Sequence, residues 1–206
     1  IQGGKDGRTE SAGISIFTIS PHHHHLTPTT SHQQISPPHH HNISTLKMKE
    51  IDIHIRVEHY QLDELNTADR ELVDRALKAT HGSYAPYSNF YVGAALRLAN
   101  GIIVTGANQE NAAFPSGLCA ERTALFAAQA NYPDQPVSTL AIVARNANGL
   151  LDEPVSPCGA CRQVILGVED RYKQPIRVLL YGKKGVYSLQ SAKDLLPFSF
   201  VDDSMK

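Results

Sequence analysis

Three cysteines occur in the 206-residue chain, and all stand in two short segments: "SGLCAERTAL" carries Cys119, and "SPCGACRQV" carries Cys158 and Cys161. Glu121 and Arg122 follow the first cysteine at two and three residues. Cys158 and Cys161 are too near each other to close a useful disulfide loop, and a CxxC redox pair leaves Cys119 without a part. Reduced thiols in the cytoplasm fit better. Both segments read as helix starts, with Ser116 as a cap for the first and Ser156-Pro157 leading into the second, and the unpaired amides of a helix start favour a thiolate. Three thiolates converging from two such starts make a soft, electron-rich site suited to zinc. A closed structural site wants four protein ligands. No fourth cysteine exists, and His54, His59 and His81 have no motif spacing to the three. Three ligands with an open fourth position for water is the arrangement of a catalytic zinc.

Glu121 sharpens that reading. Two residues from a ligand, it can be held beside the zinc without binding it, where it accepts a proton from water and passes it to a substrate nitrogen. Zinc deaminases have this layout: a ligand, one residue, a glutamate, and later Pro-Cys-x-x-Cys, with zinc on three cysteines or on one histidine and two cysteines. Here the segments read Cys119-Ala120-Glu121 and Pro157-Cys158-Gly159-Ala160-Cys161. A third thiolate makes the zinc site formally anionic, which leaves its water less acidic. Arg122 or Arg162 could withdraw that charge by donating hydrogen bonds to the sulfurs, and Arg122 is the favoured residue.

These residues need a frame. Residues 1–47 hold eight of the eleven histidines among Pro, Ser, Thr and Gln, a composition that cannot bury enough apolar surface to order itself. They read as a disordered extension or a tag-like leader, with Met48 as a natural start and 48–206 as the catalytic domain. Leu72, Val73, Ala76 and Leu77 fall at helical spacing after a cap at Asn66 or Thr67, and that helix ends near Gly82. Two β-type runs in "FYVGAALRLANGIIVTGANQ" are joined by Asn100-Gly101, a hairpin signal. An Ala-rich helix from Cys119, the strand "STLAIVARN", a helix from the CxxC, and the strands "IRVLLYG" and "GVYSL" follow. Helices alternating with strands after a hairpin imply an α/β domain, a mixed central sheet with helices on its faces.

From Thr67 to Val201 the chain resembles the cytidine deaminases that act on free nucleosides, in their small homotetrameric, three-cysteine form. The resemblance rests on "YAPYSNFYVGAAL", "GANQENAAFPSGLCAERTAL", "SPCGACRQV" and "LLPFSF" in that order. It implies a three-layer α/β/α fold, one Zn2+ per subunit, and hydrolysis of cytidine and 2′-deoxycytidine to uridine and 2′-deoxyuridine in pyrimidine salvage in the cytoplasm. By the same resemblance Cys119, Cys158 and Cys161 are zinc ligands, and Glu121 shuttles protons, to N3 and to the leaving amine, while a zinc-bound hydroxide attacks C4. Asn108 and Glu110 hydrogen-bond the ribose 3′-hydroxyl, Phe90 packs on the base, and the backbone at Ala120 helps read its polar edge. Phe200 reaches a neighbouring subunit's pocket, which requires a tetramer of 222-type symmetry. Phe114 stands where the family often has tyrosine and removes one hydroxyl near the sugar of an adjacent site.

Composition narrows the partners. A net charge of −1 shows no surplus of Lys and Arg for a polyanion, and no apolar run approaches the ~20 residues of a membrane span. A deaminase of the same fold acting on another aminopyrimidine is one rival. An editor of cytosine in a nucleic acid is a second, opposed by the charge and the absence of Trp. A zinc-stabilised binding module without catalysis is a third, disfavoured by an intact Glu121.

Overall fold

The computed structural model describes residues 49–206, so the histidine-rich leader lies outside the described residues. Helix α1, Thr67–Ala79, starts where Asn66 turns its side chain back, its Oδ1 accepting from the Asp69 N–H at 2.9 Å. Of the two expected caps, Asn66 is the one that acts, and a short 3-10 turn carries the chain from Thr80 to Gly82. The hairpin forms as Asn100-Gly101 requires: β2, Tyr91–Leu98, pairs antiparallel with β3, Ile103–Ala107, and Gly101 takes φ +87°. Helix α2 spans Ala120–Asn131, β4 Val137–Asn146, α3 Gly159–Tyr172, β6 Arg177–Gly182 and β7 Gly185–Leu189. Two short strands were not evident in the sequence, β1 at Glu58–Tyr60 and β5 at Gly149–Leu150. Strands of two or three residues are too brief to show an alternation.

The sheet runs β1-β7-β6-β4-β2-β3, with β5 on the end of β4. Among the described strands only β4 and β6 pair in parallel, and α3 is the crossover that such a pair needs. Alternation along the strands divides the core into two faces. Ala94, Leu96, Leu140, Ile142, Val178 and Leu180 point to the side covered by α2 and α3. Ala95, Ala141, Val143 and Leu179 point to the other side, with Leu72, Val73 and Ala76 of α1. The result is the mixed, three-layer α/β/α arrangement expected.

Two glycines let the helices sit close to the sheet. A Cβ on Gly93 would stand 2.1 Å from the Ala76 carbonyl oxygen of α1. On Gly106 it would stand 2.5 Å from both the Ala120 carbonyl oxygen and the Ala124 nitrogen, the first turns of α2. The start of α2 is where Cys119 and Glu121 stand, so the missing side chain at Gly106 sets their depth. Gly106→Val is expected to displace α2, costing about 1–3 kcal/mol of stability, or roughly 5–10 °C in melting temperature. Differential scanning calorimetry with zinc analysis checks it: both melting temperature and bound zinc should fall.

Candidate active site

Cys119 and Cys158 occupy the capping positions of α2 and α3 themselves, both with extended backbone (ψ 156° and 164°). Ser116 is therefore not the cap of α2; it closes a 3-10 turn, Phe114–Ser116, and Gly117 and Leu118 intervene before the helix. The sequence reading missed this because a cap was sought among Ser and Thr, whereas here the capping residue is a cysteine with no side-chain bond to the helix. Cys161 is the third residue of α3 and wholly buried. The three sulfurs lie within 4.8 Å of one another, and Cys119 Sγ is 3.8 Å from Cys158 Sγ. All three cysteines are free. Zn–S bonds of ~2.3 Å in tetrahedral geometry hold sulfurs about 3.8 Å apart, so the donor set fits zinc in both chemistry and spacing. Among the described residues no fourth Cys, His, Asp or Glu joins the cluster.

Glu121 is 4 % exposed, and burial pushes its carboxyl above the ordinary carboxylate range. Arg122 donates from Nη2 to Cys119 Sγ at 3.6 Å, and its Nε is buried with no partner among the described residues. A hydrogen bond from the Cys161 thiol is the largest influence drawing the Cys119 thiol down to about 5; burial opposes it, and Arg122 adds to it. The hydrogen bond that Arg122 donates to Cys119 raises the Arg122 guanidinium further. Arg162 does something else. Its Nε donates to the Pro157 carbonyl at 2.9 Å and its Nη1 to the Leu195 carbonyl at 3.0 Å, tying the CxxC loop to the turn Ala192–Leu195. Of the two arginines, Arg122, the one favoured from the sequence, faces the sulfurs.

A cavity of about 640 Å³ opens beside the sulfurs, and Phe90, Asn108, Glu110, Phe114, Cys119, Glu121, Arg122 and Cys158 are among its lining residues. Asn108 is held at both ends of its amide: Oδ1 accepts from the Val92 N–H at 2.8 Å and Nδ2 donates to the Phe90 carbonyl at 2.9 Å. Glu110 accepts from the Tyr87 N–H at 2.9 Å, the Ser88 N–H at 3.3 Å and the Ser88 hydroxyl. The Ser88 hydroxyl, with the Tyr87 amide, holds the Glu110 carboxyl below its usual range. Asn108 and Glu110 thus order the loop before β2 as well as facing the cavity. The loop residues Tyr87 and Ser88, together with Val155 and Ser156, also line it, and none of them was assigned a part in the site from the sequence. Tyr87 and Ser88 stand in the turn "APYSN", inside one of the motifs that carry the resemblance, and Val155 and Ser156 directly precede Pro157 and the CxxC. Ala120 is buried as the first residue of α2. Phe200 does not line the cavity; it is 59 % exposed, and its carbonyl accepts from Gln163 at 2.7 Å. Phe114 is 75 % exposed, its ring edge-on to Tyr87 at 5.7 Å between centroids.

Sulfur donors at two helix starts, on one face of a mixed α/β/α sheet, with a buried carboxyl two residues from one of them, define a zinc protein of hydrolytic type. The model of the cytidine and deoxycytidylate deaminase zinc-binding region matches residues 66–172. The cytidine deaminase of Halalkalibacterium halodurans is 39 % identical over 138 residues, 66 % of this chain and 98 % of that protein. That of Sporosarcina psychrophila is 38 % identical over 135 residues, 66 % of this chain and 93 % of that protein. Among solved structures, the cytidine deaminase from Burkholderia pseudomallei superposes with a TM-score of 0.55 at 41 % identity, over 63 % of this chain and 97 % of that one. The chain belongs to the cytidine deaminase family, an enzyme family of hydrolases with zinc as cofactor. No helix among the described residues is long and apolar enough to cross a membrane.

Proposed function

We propose that the protein hydrolyses cytidine and 2′-deoxycytidine to the corresponding uridines and ammonia, as a cytoplasmic homotetramer of pyrimidine salvage, with residues 48–206 as its catalytic domain. The observation that carries this reading is Glu121, a buried carboxyl at the cavity wall two residues from Cys119. Cys119, Cys158 and Cys161 would hold zinc, whose Lewis acidity would make a water molecule nucleophilic near neutral pH. Glu121 takes a proton from that water and delivers it to N3 of the base. The water oxygen adds to C4, and a second transfer carries the proton left on that oxygen to the exocyclic amine, whose bond to C4 breaks, so water and cytidine give uridine and ammonia. Burial suits the carboxyl to both roles, since a pKa raised above the ordinary carboxylate range helps it keep the proton between the two transfers.

Phe90 packs against the base, the Ala120 backbone reads its polar edge, and Asn108 and Glu110 meet the ribose 3′-hydroxyl. The bonds that Asn108 and Glu110 make to the Tyr87–Val92 segment fix their orientation before a substrate arrives, which reduces the ordering cost of binding. Phe200, exposed on its own subunit, supplies an aromatic wall to a neighbour's site. Nothing in the charge of the chain favours a nucleic-acid strand over a free nucleoside.

The direct test is ammonia release with cytidine, deoxycytidine, an aminopyrimidine analogue and a cytosine-bearing single strand. Stoichiometric uridine and ammonia from the first two supports the reading, and faster turnover of the analogue or the strand overturns it. Arg122→Ala removes the guanidinium from Cys119 Sγ and leaves more negative charge on the sulfur cluster. It is expected to raise the pKa that governs turnover by about one unit, in line with ~1.5–3 kcal/mol for a charged hydrogen bond, while Arg122→Lys recovers part of the shift. A pH–rate profile identical to wild type would remove Arg122 from the mechanism.

A further inference from the structure

The segment Ile51–Val57, "IDIHIRV", alternates apolar and polar residues as a half-buried strand does, yet no element of the described residues covers it. Ile51, Ile53, Ile55 and Val57 are 70, 49, 43 and 49 % exposed. Four β-branched residues in one row are good strand formers and poor solvent-facing ones. The segment leads into β1, which ends the sheet and pairs with β7 alone. Outside the ladder of β1, Glu50–Val57 makes no backbone–backbone hydrogen bond among the described residues. Such an open run next to an edge strand is a template for another strand.

Its charges indicate which strand. Between the apolar residues the order is Glu50, Asp52, His54, Arg56: acidic at the beginning, basic at the end. A second copy laid antiparallel about Ile53 sets Glu50 opposite Arg56 and Asp52 opposite His54, each twice. The other face then pairs Ile51 with Ile55 twice and Ile53 with its own copy. Arg56 is 84 % exposed at its side chain and is in loose contact with Glu58 at 3.4 Å, so its guanidinium is free to turn to a partner. Opposite charges and branched apolar pairs directly across an antiparallel ladder are stabilising, and a parallel alignment would set like against like at every charged position. We propose that residues 50–57 are a self-pairing arm, through which two copies of this chain join by an antiparallel two-fold strand contact centred on Ile53. The contact is independent of the catalytic assignment, because the arm carries none of its residues and lies before residue 66, where the zinc-binding region begins.

Cysteine cross-linking of the full chain tests the register. Across an antiparallel pair the two Cβ atoms at the axis are about 4.5–5.5 Å apart, so a small shift brings them to the ~3.5–4.5 Å that a disulfide spans. Residue 51 lies four residues along from its own symmetry mate, about 14 Å away. Under mild oxidation, Ile53→Cys is expected to give a covalent dimer on a non-reducing denaturing gel, and Ile51→Cys at most the wild-type background. Adding Arg56→Glu to Ile53→Cys sets Glu against Glu twice and should cut dimer yield at least tenfold; adding Glu50→Arg as well should restore it. Cytidine turnover of each variant, unchanged, shows that the chains are folded. Equal cross-linking at 51 and 53, as a parallel pair would give, overturns the proposal. So does no cross-link at 53, which would mean that the arm is covered within its own chain or by another partner, and so does a yield indifferent to the charge reversals.

Discussion

Glu121→Ala is expected to lower kcat for cytidine by about 10⁴-fold while leaving close to one zinc per chain. The magnitude follows from the two proton transfers assigned to this carboxyl, since a positioned acid or base contributes ~10²–10⁴-fold to a step. Zinc should stay because the carboxylate is not among the converging donors; among the described residues the three sulfurs alone form the cluster. Melting temperature should change little or rise, because a carboxyl that is 4 % exposed and raised in pKa by burial is held at a desolvation cost that alanine relieves. Glu121→Gln keeps the shape and removes the titration, so it should be as inactive as the alanine variant. The wild-type enzyme should lose kcat/KM toward acid through a pKa above the ordinary carboxylate range, because the carboxyl must begin as the base and burial favours its protonated form. Turnover, zinc content and the acidic limb are measured on the same preparations. An alanine variant with turnover near wild type would reject the mechanism, and one that loses zinc would make Glu121 part of the metal site.

Replacing any one of the three cysteines should have a still broader effect, removing zinc and turnover together. Two thiolates without the third give the ion too few soft donors, and no Cys, His, Asp or Glu among the described residues stands close enough to substitute. The three positions should differ in folding. Cys158 is exposed, so Cys158→Ser yields a zinc-poor protein that still folds. Cys161 is wholly buried inside α3, so a serine hydroxyl there adds an unsatisfied polar group and costs about 1–3 kcal/mol more. Cys119 and Cys158 come from different helices, α2 and α3, so the ion also ties the two starts together, and chelation should lower the melting temperature of the wild type more than that of any cysteine variant. Metal analysis and calorimetry before and after a chelator decide it; a wild type whose melting temperature is indifferent to chelation would show that the helix starts are held without zinc.

Much of this was legible in the chain because it depends on local geometry. A cysteine two residues before a glutamate, and a CxxC at a helix start, are spacings within one helical turn, and backbone conformation alone places such groups together. The hairpin at Asn100-Gly101 and the capped helix at Asn66 are of the same kind, and so are the long strands and helices that make the α/β/α layers. The short β1 and β5 were not legible, because their existence depends on the strands they join. Tertiary structure alone decided how separate segments meet. It brought Cys119 to 3.8 Å from Cys158 across 39 residues of chain, with Gly106 allowing α2 to lie against β3. It also gave Arg162 a different part from Arg122, the residue already favoured: the carbonyls of Pro157 and Leu195 take Arg162, while Arg122 turns to Cys119. Sequence determines which groups share a turn. Which of them share a site depends on which neighbours the packed chain offers each side chain, and for Arg162 those were carbonyl oxygens rather than sulfur.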